Sequence, residues 1–189
     1  MDSINATQVL GFWFARDRKA WFEKNPAFDE EIRARFLPIY ERASREELKT
    51  WHRTPSSCLA LVILLDQLPR NMFRMPAKDA ARAFAADYLA REAARVILDN
   101  GWDKAMTPDE RMFAYLPLEH SESLADQEHC LALMKEIAVF PDTADLPKWA
   151  EAHLAIIRRF GRFPHRNAAL GRATTPEEIE FLKQPGSTF

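Results

Sequence analysis

The chain has 189 residues, 47% of them hydrophobic and 29% charged, with a net charge of −2 and two cysteines. A chain of this length buries roughly 70% of the surface its unfolded form exposes, so it needs neither disulfides nor a metal to fold, and one all-helical domain over 1–189 is expected. The near-zero net charge argues against a nucleic-acid binder, which is usually basic overall. The longest apolar run, Cys58 to Leu65, falls far below the roughly 18 residues of a membrane span.

The N-terminus lacks the basic region of a secretory signal. Cys58 and Cys130 lie far apart, without a CxxC, and read as free thiols of a cytoplasmic protein. Glycine is scarce, at five, and helix formers dominate. In chain order the pattern predicts helices over about 5–14, 27–42, 45–51, 55–67, 77–99, 108–115, 122–139, 146–160 and 176–184.

The first helix and the segment after it hold Phe12, Trp13, Phe14, Trp21 and Phe22, which are expected in the core, with an exposed dimer patch as the other reading. Asn25-Pro26, Thr54-Pro55, Thr107-Pro108 and Thr175-Pro176 each place a capping side chain before a proline at the first helical position. Thr107 with Glu110, Thr175 with Glu178, and Ser44 with Glu47 have the spacing of a capping box. Gly101 and Gly161 stand where a left-handed residue ends a helix, and Pro117 is expected to end the helix before it. The tail, KQPGSTF, is expected to fray or to pack loosely. No stretch alternates long enough to be a strand, and no strict internal repeat is present.

Four stretches carry the polar chemistry. LLDQLPRNMFR, residues 64–74, puts Asp66, Arg70 and Asn71 directly after an apolar run. They either line a cleft or cap a helix end, with Asp66 holding an arginine. In residues 110–129, Arg111 and Tyr115 share a face at i,i+4 spacing. His120 lies between Glu119 and Glu122, and Ser121 or Ser123 can cap the next helix. His153 lies in a stripe with Trp149, Ile156, Ile157 and Phe160, where a hydrogen-bonded core residue is the plainer reading.

The fourth stretch, RRFGRFPHRNAALGR, spans residues 158–172. It holds five arginines and His165, and no acid occurs from Ala152 to Pro176. Guanidinium forks match carboxylates and phosphates in two-point contacts. Their partners are therefore either a ligand's negative charge or distant acids such as Asp66, Glu119 and Glu122. Arg158 and Arg159 are adjacent and point apart, so at most one joins a site.

LDQLPRN, LPLEHSE and RFGRFPHRN, with VLGFWF near the start and EEIEFL near the end, resemble the bacterial and plant "domain of unknown function 924" family over almost the whole chain. The resemblance implies an all-α array of antiparallel helical hairpins, superhelical and tetratricopeptide-repeat-like, with about eight or nine helices and no sheet. It implies no activity.

Such folds bind ligands on a concave face, but function has to be argued from a site. The residues point to an anion pocket of Arg70, Asn71, Arg111, His120, Arg162, His165, Arg166 and Asn167, with Asp66, Glu119 and Glu122 as supporting acids and His153 as a further member. It would take an anionic small molecule or an acidic peptide, with no nucleic-acid or membrane partner and no cofactor or metal. The alternative is a hydrolase-like or metal-assisted enzyme using Glu119, His120, Glu122, His153 and His165. No GxSxG, HExxH, P-loop or GxGxxG is present to support it.

Overall fold

Helix starts follow the side chains that cap them. A computed structural model describes residues 4–74 and 78–187. In α1 (Ala6–Phe14), Asn5 and Gln8 form a reciprocal capping box. α2 (Arg18–Phe22), capped by Asp17, is too short for sequence periodicity to reveal. Asn25 accepts hydrogen bonds from the amides of Ala27 and Phe28 and starts α3 (Pro26–Ser44). Ser44 with Glu47 is not a capping box: Ser44 belongs to α3 and its hydroxyl donates to the Glu41 carbonyl. The expected helix over 45–51 is a turn followed by a 3-10 helix, Lys49–Arg53.

Thr54 caps α4 (Pro55–Val62), which runs through a π-helical turn, Ile63–Gln67, into α5 (Leu68–Met72). The rod thus continues five residues beyond the expected end at 67. Pro69 lacks the amide an α-helix would use and crowds the carbonyl four residues back. The wider π turn, in which the Leu68 amide reaches the Ile63 carbonyl, precedes that proline inside a fully buried segment.

The expected helix over 77–99 is divided into a 3-10 helix, Ala80–Ala83, and α6 (Asp87–Asp99); its first position lies outside the described residues. A tertiary bond competes with the helix ladder there. Arg70 donates to the Ala83 carbonyl at 3.1 Å, and the Asp87 amide bonds Phe84 instead. α7 (Pro108–Glu119) does not end at Pro117 but passes through it. Met112, Phe113, Tyr115, Leu116 and Leu118 are buried along it, and that packing outweighs one lost hydrogen bond.

Ser123 caps α8 (Leu124–Ile137), which pairs with α9 (Leu146–Phe160). Gly161, at φ +68°, ends α9 in the left-handed conformation that glycine adopts without strain. The 3-10 helix Pro164–Arg166 and α10 (Pro176–Leu182) follow. Residues 183–186 of the tail are exposed, while Ser187 is buried and bonds the Leu182 carbonyl.

Counting α4 to α5 as one rod, the described residues hold nine α-helices and no strand. They pack as sequential antiparallel helix pairs of the tetratricopeptide-like kind. The contacts group into two compact units, Met1–Pro117 and Leu118–Phe189. In the first, α4 lies between α1 and α6 and α3 packs on α5. Phe12, Trp13 and Trp21 are buried there, and Trp13 and Trp21 meet Phe113 edge-on, while Phe22 is exposed. In the second, Ile156, Ile157 and Phe163 form a core against Phe160 and Phe181. No helix of the described residues is long and apolar enough to cross a membrane.

Candidate functional site

In the first unit, the acids that follow the apolar run meet arginine directly. Asp66, on the π turn, is fully buried. Arg70, one helical turn on, donates to Asp66 at 2.9 Å and to Asp87 at 3.1 Å. Burial works against the Arg70 charge, but the two carboxylates outweigh it and raise its pKa. Asn71 donates to Asp29 at 2.7 Å, and Arg74 grips the same carboxylate with two nitrogens. Arg111 donates to the Tyr115 hydroxyl at 2.9 Å, which donates to buried Asp103 at 2.7 Å. The i,i+4 face expected of Arg111 and Tyr115 is realised. The Cys58 thiol donates to the Ala93 carbonyl, and burial pushes its pKa up to about 12, which leaves it inert as a nucleophile.

In the second unit, the arginine-rich loop is tied down by glutamates. Arg162 makes a two-point pair with Glu178 at 2.7 and 2.8 Å and also donates to the Ala173 carbonyl. Glu178 is itself the capping-box glutamate of α10, and the Arg162 contact with the Thr175 bonds draws its pKa down to about 2. Asn167 adds a bond to Glu178 and accepts from Arg172. Arg172 grips Glu122 at 2.7 and 3.0 Å and donates to the Phe163 carbonyl, while the Phe163 amide donates to Glu122. Burial would raise the Glu122 carboxyl, but the hydrogen bonds from Arg172 and Phe163 outweigh it and hold it below the usual range. Arg158 and Arg159 point to separate exposed glutamates, Glu128 and Glu177.

The histidines form a different group. Glu119 is the last residue of α7, and Gln127 on α8 secures that helix end by donating to the carbonyls of Glu119 and Ser121. His153 projects from α9, buried, with Nδ1 at 2.9 Å from the Trp149 carbonyl and 3.3 Å from Glu119. A carbonyl can only accept, so Nδ1 carries the proton and Nε2 is an acceptor. Burial pushes the His153 pKa down to about 3, against the Trp149 bond, and nearby His120, Arg166 and His165 push the same way.

The His120 ring lies 6.3 Å from that of His153, and Phe163 meets His153 edge-on at 5.7 Å. Phe163 also carries His165 at 5.7 Å and the Arg166 guanidinium at 4.5 Å. The result is two imidazoles, His153 and His165, and the Arg166 guanidinium about the Phe163 ring, with His120 beside His153 and a carboxylate at their edge. Among the described residues, no group of three or more His, Cys, Asp or Glu side chains is placed to hold a metal ion.

Of the residues singled out in the sequence, His120, His153, His165, Arg166 and Glu119 thus come together, while Arg162 and Asn167 converge on Glu178. Arg70, Asn71 and Arg111 belong to the first unit, each with its own polar partner. Sequence reasoning missed Phe163, the ring on which the cluster is arranged, and Asp29 and Asp87, acids on distant helices. Glu178 was visible only as a cap.

The sequence profile described as "Bacterial protein of unknown function (DUF924)" matches residues 9–186. The chain belongs to this family. Among solved structures, it is similar to a protein of unknown function, ATU0120, from Agrobacterium tumefaciens, with 40% identity and a TM-score of 0.84 over 94% of this chain and 96% of that one. No curated protein matches it. Shared membership and this degree of likeness support the helical fold derived above.

Proposed function

We propose that the protein binds a small anion, a carboxylate or phosphate, at the His120–His153–His165–Arg166 cluster of the second unit. The observation that carries this reading is that Phe163 meets His153, His165 and Arg166 while His120 lies beside His153, so that His120, His165 and Arg166 all press on the protonation of His153. Burial keeps His153 neutral, so the protons that a bound anion recruits go to the rings of His120 and His165. An anion beside them favours their charged forms, so binding takes up protons and tightens as pH falls. Arg70, Arg162 and Arg172 act instead as locks on the fold, since each is held by a carboxylate.

The test is calorimetric titration with inorganic phosphate and with citrate at about pH 6 and about pH 8, the range in which an ordinary imidazole titrates. Binding tighter at the lower pH, lost in Arg166→Gln and His165→Asn but kept in Arg158→Ala, is the expected result. No heat of binding for either anion at millimolar concentration would overturn the reading.

A further inference from the structure

A groove of about 420 Å³ runs along α1 and α3 in the first unit, lined by Gln8, Gly11, Phe12, Arg16, Glu31 and Arg35, with Ala15 between them. Its size falls within the range of small-molecule sites. Two guanidiniums are set over its aromatic floor. Arg16 lies 5.4 Å from the Phe12 ring and 5.0 Å from Phe28. Arg35 lies 5.0 Å from the same Phe12 ring and 5.2 Å from Phe36. Phe12 stacks on Phe28 at 5.7 Å and meets Phe36 at 4.7 Å with the rings tilted by 57°, so a buried cluster of three rings supports the groove, and Phe12 alone of them lines it. Stacking on aromatic faces holds both forks in place before any ligand arrives.

The charges in the groove do not cancel. Arg16 pairs with Glu31 at 3.0 Å. Arg35 is exposed and has no acid partner among the described residues, so one positive charge remains over.

Gly11 provides an independent sign. It sits inside α1, where glycine is the poorest helix former after proline. Its φ is not positive, and a Cβ built there would meet nothing within 4 Å, so neither backbone geometry nor packing requires glycine. What glycine does there is leave the helix backbone open to close approach from the groove.

We infer that the groove between α1 and α3 is a binding site for a small planar carboxylate, whose charged end lies on Arg35 and Arg16 and whose body lies along Gly11 and Phe12. Planar carboxylates match the guanidinium fork, and Phe12 in the groove wall gives an unsaturated or aromatic body an apolar surface. The site uses no residue of the histidine cluster, so the two stand or fall separately.

The experiment follows amide signals of the isotope-labelled protein during titration with benzoate, with benzylammonium as the opposite-charge control and inorganic phosphate alongside. Benzoate is expected to move the Gly11 and Arg35 signals at millimolar concentration, and benzylammonium is not. Arg35→Met keeps an apolar stem on the rings without the charge and should weaken benzoate binding about tenfold. Gly11→Ala should raise the melting temperature and weaken binding together, since it helps the helix and narrows the approach. His165→Asn and Arg166→Gln should change nothing here. Benzoate that fails to move Gly11, or that binds Arg35→Met as tightly as the parent protein, overturns the site. Phosphate bound there as tightly as benzoate overturns the planar-carboxylate class.

Discussion

Asp66 and Glu119 are both buried carboxylates carried on helical segments, yet they keep different company. Asp66 faces Arg70, a cation at every accessible pH, and that arginine is also tied to Asp87. Glu119 faces His153, an imidazole that burial keeps neutral. A carboxylate with a permanent cation is a lock, whose energy does not change near neutral pH. A carboxylate with an imidazole, among further imidazoles, is an assembly whose charge a proton or an anion can alter. The difference teaches that the type of cation beside a buried acid, more than the burial itself, separates a structural pair from a candidate site.

The sharpest way to break this contrast is to remove the lock. Arg70→Met leaves Asp66 buried with its cation gone and should cost about 3–5 kcal/mol in urea unfolding.

The pH dependence of stability tests the other side. His153 has an ordinary pKa of 6.5 and a folded value of about 3. As pH falls below 6.5 the unfolded chain takes up a proton that the folded chain refuses. Its contribution is complete above 6.5 and is lost progressively down to about 3, at up to about 1.4 kcal/mol per pH unit. His153→Gln should flatten the curve in that window, whereas the parent slope surviving intact would show the imidazole is not held neutral. Glu178 acts lower down. Its carboxyl falls from 4.5 to about 2 in the fold, so its contribution is present above 4.5 and lost as pH drops through 2, and Glu178→Gln should remove that component alone.

Smaller effects sharpen the comparison. Thr175→Ala removes the cap of α10 and a hydrogen-bond partner of Glu178, and should cost about 1 kcal/mol by thermal unfolding. Arg158→Ala breaks an exposed pair with Glu128 and should cost under about 0.5 kcal/mol, which sets the baseline for arginines of the same loop that carry no lock.

Several of these residues were legible in advance, in part. Thr175 and Glu178 were readable as a capping box, but Arg162 as the second partner of Glu178 was not, because it lies 16 residues away on the far side of a loop. Arg70 was readable beside Asp66 at i,i+4 spacing, while Asp87 and the Ala83 carbonyl were not, and the same arginine interrupts the helix expected over 77–99. The continuation of α7 through Pro117 was hidden for a related reason. Local rules weigh one proline against one hydrogen bond, whereas the fold weighs it against a row of buried side chains.

By itself the sequence determined the all-helical class, most helix starts, the burial of Phe12, Trp13 and Trp21 and the residue types that gather near the histidines. Those features depend on chemistry within about four residues, the reach of a cap or a helical turn. Tertiary structure alone decided which carboxylate meets which cation: Glu122 reaches Arg172 across 50 positions and Asp29 reaches Arg74 across 45. No local preference selects such pairs. They form because packing of the helices brings their ends together, and once buried each charge has to be met where it stands.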